Sequence, residues 1–74
     1  MDAAMTEVTI TRSGMVNTIK YDEDTKVLTL TFNSGGTYEY KDVPEEVFKD
    51  MLAAESVGKY FHSNIKGKYE TEKV

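Results

Sequence analysis

Leu28, Leu30 and Phe32 alternate with Thr29 and Thr31 between residues 26 and 32, the clearest two-residue period in the chain. Side chains two apart share one face of an extended strand, so this pattern predicts a strand with an apolar and a polar face. Residues 7–11 alternate in the same way and are rich in β-branched types, which predicts a strand ended by Ser13-Gly14. Residues 15–21 form the next predicted strand, with Ile19 and Tyr21 on one face. Asp22-Glu23-Asp24-Thr25 is a turn, because an Asp side chain can bond the backbone two residues on. After Asn33-Ser34-Gly35-Gly36 the chain reverses into a strand over 37–41 that carries Tyr38 and Tyr40 on one face.

From residue 42 the period changes. Val47, Phe48, Met51 and Leu52 recur at helical spacing, with Lys49 and Asp50 on the far side. Asp42 is read as the N-cap, with Glu45 three residues on and Pro44 in the first turn. Ser56 is read as a second N-cap, followed by the stripe Val57, Tyr60, Phe61 and Ile65, and Gly67 ends that helix. Gly58, unfavourable inside a helix, is expected to let the two helices approach closely. Residues 68–74 have no periodicity, although Tyr69 can dock back. The predicted fold is α+β: an antiparallel three- to four-stranded β-meander followed by two short helices packed on one sheet face. Residues 1–74 form a single domain, with residues 1–5 frayed.

The hairpin loop decides which face the tyrosines join. A two-residue loop, Ser34-Gly35, puts Thr31 opposite Tyr38 and the tyrosines with the threonines. A three-residue loop, Ser34-Gly35-Gly36, puts Phe32 opposite Tyr38 and Leu30 opposite Tyr40. A one-residue slip exchanges the faces completely. The three-residue loop is preferred, because Gly36 can take its left-handed position and Glu39 then joins Thr29 and Thr31.

Composition narrows the chemistry. The chain has no cysteine, which excludes a disulfide framework, a cysteine zinc site and thiol catalysis. The net charge of −4 argues against broad nonspecific nucleic-acid binding. The distribution is uneven, however: Ser56 to Tyr69 holds Lys59, His62, Lys66 and Lys68 and no acidic residue. Residues 1–7 carry neither a basic run nor an apolar core of signal-peptide length, and no apolar stretch reaches membrane-spanning length. A cytoplasmic protein without membrane contact is expected.

No catalytic constellation is present. His62 has no nucleophile or carboxylate at working spacing and no second ligand at metal spacing. Asp22-Glu23-Asp24 lacks the spacing and terminal Glu of a calcium loop. Ser34-Gly35-Gly36 leads into a strand, so no helix N-terminus is there to hold a phosphate. No enzyme activity, metal or cofactor is therefore expected. The candidate nucleic-acid contacts are Lys59, His62, Asn64, Lys66, Lys68 and Tyr69: lysines for phosphates, Asn and aromatics for bases. Tyr38 and Tyr40 read either as a stacking platform on an open sheet or as core against the helices. The preferred register makes them core.

Six segments in fixed order carry a family resemblance: Ile19-Lys20-Tyr21-Asp22, Leu28-Thr29-Leu30-Thr31-Phe32, Gly35-Gly36-Thr37-Tyr38-Glu39-Tyr40, Val43-Pro44, Ser56-Val57-Gly58-Lys59-Tyr60-Phe61 and Ile65-Lys66-Gly67-Lys68-Tyr69. Together they resemble the KTSC domain, whose hallmark Tyr-x-Tyr is matched by Tyr38 and Tyr40, over residues 10–70. One departure is His62, where the family pattern leads one to expect Asn. The family is named for its place at the C-terminus of some lysyl-tRNA synthetases, and it also occurs as small bacterial and phage proteins. The resemblance implies a domain of unknown function, an association with RNA through the synthetase, and no catalytic residues to carry over. Two readings follow: an RNA-binding module for tRNA-like structures using the basic C-terminal end, or an accessory module that binds a protein partner through a strand edge or helix face. A monomer is expected in either case.

Overall fold

A computed structural model describes residues 5–10 and 14–74. The expected fraying of residues 1–4, the strand residue Thr11 and the breaker Ser13 lie outside the described residues. Met5 does not join a frayed end but begins β1 (Met5–Thr9). It is followed by β2 (Val16–Asp22), β3 (Val27–Phe32), β4 (Thr37–Tyr40), α1 (Glu45–Ala53), α2 (Val57–Asn64) and β5 (Thr71–Lys73). The fold is α+β. The strands form one antiparallel sheet in the order β1-β2-β3-β4-β5.

The sheet thus has five strands where three or four were expected. The unpredicted strand is β5, which pairs Tyr38 with Lys73, Glu39 with Glu72 and Tyr40 with Thr71. All three of its residues are exposed, so no apolar alternation marks it. It is held instead by backbone bonds beyond its ends, from the Lys41 amide to the Glu70 carbonyl and from the Val74 amide to the Thr37 carbonyl. A surface ion pair between Lys41 and Glu72 (3.0 Å) lies beside the ladder.

The β3–β4 hairpin places Tyr38 and Tyr40 on the Leu/Phe face, as the pairing of like residues demanded. The register nevertheless differs from the expected one by two residues: Leu30 faces Tyr38 and Leu28 faces Tyr40. The loop is Asn33-Ser34-Gly35, closed by bonds from the Gly35 amide to the Phe32 carbonyl and from the Phe32 amide to the Gly36 carbonyl. Gly35, at φ +105°, takes the left-handed position assigned above to Gly36. In the β2–β3 turn the Asp22 carboxylate accepts from the amides of Asp24 (2.9 Å) and Thr25 (3.3 Å), as its sequence implies.

Val16, Ile19, Tyr21, Leu28, Leu30 and Tyr40 are buried on one side of the sheet, and both helices cover that side. Ile10 after β1, Phe48 and Met51 of α1, Val57 and Phe61 of α2, and the flanking Val43 and Ile65 complete the core. Ser56 caps α2 as expected, its hydroxyl accepting from the Lys59 amide (3.2 Å). Asp42 does not cap α1. It adopts φ +58°, and α1 begins after Pro44 without a side-chain cap. Gly58 also departs from expectation: a Cβ there would meet Met15 at the head of β2 (Sδ at 3.4 Å), not the other helix.

Candidate nucleic-acid interface

The second helix sorts its residues by the helical repeat. Val57, Phe61 and Ile65 are buried against the sheet, while Lys59, His62, Ser63 and Lys66 are exposed. Lys59 and His62 are three apart, so they are neighbours on the solvent side of the helix, and Lys66 follows just beyond its end at Asn64. Lys68 follows in the turn after the helix and is exposed as well. Four of the predicted contacts therefore share one end of the molecule with no carboxylate in the intervening sequence.

The other two are placed differently. The Asn64 side-chain amide donates to the Tyr60 carbonyl (3.3 Å), a bond within the last turn of α2. Tyr69 is half-buried and packs against the core, with its carbonyl accepting from the Thr71 hydroxyl (3.0 Å). Tyr69 also lies close enough to Tyr60 to help raise that phenol's pKa, after burial and the Asp50 charge.

Tyr38 and Tyr40 separate. Tyr40 is buried and meets Phe61 edge-on (centroids 5.8 Å apart), and burial, then Tyr38, raises its pKa. Tyr38 is only half-buried. Its ring meets Phe32 edge-on at 5.8 Å and lies over Gly36, where a Cβ would come within 3.1 Å of Cε1. Phe32 in turn meets Phe61 (5.3 Å), and Phe61 meets the exposed His62 (5.4 Å). A file of rings thus runs from the hairpin to His62 on the solvent side of α2. Its Tyr38 end carries Lys73 opposite Tyr38 in the β4–β5 ladder. Lys73 was invisible as a candidate because no pattern announced β5.

The helix-free face of the sheet is of another kind. A hollow of about 280 Å³ there is lined by Lys20, Asp22, Thr25, Val27, Thr29, Thr37 and Glu39 together with Met5 and Val74. No aromatic residue lines it, so it offers no stacking platform. Among the described residues no group of three or more His, Asp or Glu is placed to hold a metal ion. No helix among them is long and apolar enough to cross a membrane.

Comparison with known proteins places this geometry in a family. The KTSC domain model matches residues 12–69. The lysine–tRNA ligase of Trichormus variabilis is 44% identical over 55 residues, covering 74% of this chain but only 10% of the ligase. The chain therefore spans about a tenth of that relative's length. A small protein of Tsukamurella paurometabola is 40% identical over 57 residues, covering 77% of this chain and 85% of that one. The crystal structure of a KTSC domain protein from Yersinia pestis superposes with a TM-score of 0.90 at 35% identity, over 96% of this chain and 99% of that one. The chain belongs to the KTSC domain family.

Proposed function

We propose that this KTSC domain is a non-catalytic RNA-contacting module that lays the solvent side of α2 along a phosphate backbone. The observation that carries the proposal is the exposed lysines Lys59, Lys66 and Lys68, with His62 among them in the sequence, in a chain whose net charge is −4. Cations gathered on one face of an acidic molecule orient it toward a polyanion while the rest of the surface repels one. The relative named as a lysine–tRNA ligase supports RNA as the polyanion, since the matching segment is a tenth of an enzyme that handles tRNA.

Few cations mean few phosphate contacts. Three or four contacts imply a slope of about −2 to −4 in log K against log salt. Titration of 15N-labelled protein with mixed tRNA at low salt should shift amide signals of residues 59–69, and added salt should reverse the shifts. Replacing Lys59 and Lys66 together by Glu should abolish binding. Unmoved signals at low salt would exclude the reading.

A second reading rests on β1, which has a neighbour on one side only. An edge strand with free backbone groups can accept a strand from a partner protein. In that case a charged or proline substitution at Val8 should abolish capture of the partner, and RNA should leave the amide signals of α2 unchanged.

A further inference from the structure

We infer that Tyr38 is a stacking site for an unpaired base, so that the RNA taken by this domain is single-stranded at the hairpin end. The inference rests on the RNA reading above and adds to it the class of RNA bound.

Four observations carry it. Tyr38 and Tyr40 lie on the same sheet face, yet only Tyr40 is closed into the core. Tyr38 is half-buried, held edge-on by Phe32 and lying over Gly36, the position that lacks a side chain to displace it. A ring fixed from behind with part of its surface open loses little freedom when a base stacks on it. Lys73, its partner across the β4–β5 ladder, shares its face, because paired residues in antiparallel strands point the same way. Glu39 and Glu72, the next pair in the ladder, point to the opposite face. The side of the sheet that shows Tyr38 therefore carries a cation there and the acids are turned away. The rings Phe32, Phe61 and His62 then connect this point to the cations of α2 by steps of 5.3 to 5.8 Å. A strand whose phosphates follow Lys59, His62 and Lys66 can thus reach Tyr38 with one of its bases. A continuous duplex keeps its bases stacked on each other and has none to offer.

The experiment compares a single-stranded RNA 10-mer with a fully paired, blunt-ended RNA duplex at equal phosphate concentration, binding to the full chain at low salt. The single strand should bind more tightly, and Tyr38 ring-proton signals should move upfield on its addition. Tyr38→Leu, which keeps an apolar side chain against Phe32, should weaken single-strand binding by about 5- to 150-fold, the range for losing one base–aromatic stack. Its salt slope should be unchanged, and Tyr38→Phe should bind like the wild type. If Tyr38→Leu and wild type bind the single strand equally, or the duplex binds as well and the ring signals stay still, the stacking inference falls while the α2 reading stands. If neither RNA binds the wild type, the α2 reading falls and takes the inference with it. The ring-proton shifts are read on the wild type, so the outcome does not depend on any variant folding.

Discussion

The ring of Tyr21 lies flat against that of Phe48, centroids 5.0 Å apart and planes 13° apart, while its hydroxyl donates to the carbonyl of Val43. One residue of β2 thereby ties the first helix and the segment leading into it to the sheet. Tyr21 is 1% exposed, so the Val43 carbonyl has no water to fall back on. Tyr21→Phe should destabilise the domain by about 1–3 kcal/mol, the penalty of leaving a buried polar group unpaired. Phe48→Ala should remove about 3–5 kcal/mol. A domain of this size has a total stability of about 4–11 kcal/mol, so the second variant is expected to be partly unfolded at room temperature. Urea unfolding, with the slope compared between variants, checks both values.

The same burial makes stability fall at alkaline pH. Desolvation, followed by the nearby acids Glu45, Glu23 and Asp22, raises the pKa of Tyr21. Burial is also the leading cause of the raised values of Tyr40 and Tyr60. A phenol whose pKa is higher in the folded than in the unfolded chain keeps its proton longer when folded. Its contribution is complete below the unfolded value of about 10 and is lost as pH rises through the folded one. Thermal midpoints should be flat through pH 7–9 and drop above about pH 10, with phenolate absorbance appearing as the protein unfolds.

The two glycines of the hairpin should respond differently to a methyl group. Gly35 sits at φ +105° with open space around it, so Gly35→Ala is strained by the backbone alone, by about 1–3 kcal/mol. Gly36 has no such backbone need. A Cβ there meets Cε1 of Tyr38 at 3.1 Å, and a tilt of that ring edge by a few tenths of an ångström, with Phe32 still behind it, makes room. Gly36→Ala should therefore leave the thermal midpoint nearly unchanged while moving the Tyr38 ring signals.

Ser56 and Asp42 provide a matched test of capping. Ser56→Ala removes the acceptor for the Lys59 amide and should destabilise by about 0.5–2 kcal/mol. Asp42 holds a left-handed backbone and caps nothing, so Asp42→Gly should be neutral or stabilising. Chemical denaturation of the two variants side by side should show a loss for Ser56→Ala and none for Asp42→Gly. Equal losses in both would contradict the roles assigned to them.

The same contrasts show what was legible in the residues and what was not. The faces of β2 and β3 and the stripe of α2 follow from alternation and helical repeat, because each depends only on neighbours along the chain, while the face of β4 also needed the pairing of polar with polar across the hairpin. Ser56 was legible as a cap for the same reason: its partner is the amide three residues away. The exposed side of α2 at Lys59 and His62 was equally readable once the helix was placed. The hairpin register was not. Shifting the strands by two residues keeps every side chain on its face, so matching polar with polar cannot tell Phe32 opposite Tyr38 from Leu30 opposite Tyr38.

By itself, then, the sequence determined the α+β layering, the apolar face of the sheet and the position of the cations, since these are written in local periodicity. Tertiary structure alone decided that residues 71–73 become a strand, that Asp42 turns the chain instead of capping a helix, and that Tyr40 is sealed while Tyr38 stays half open. Each of these depends on groups distant in sequence: the Glu70 carbonyl meeting the Lys41 amide, the Val43 amide reaching the Lys26 carbonyl, and Phe61 closing over Tyr40. Hydrogen bonds and ring contacts between distant residues leave no period in the chain, and they become visible only when packing brings the partners together.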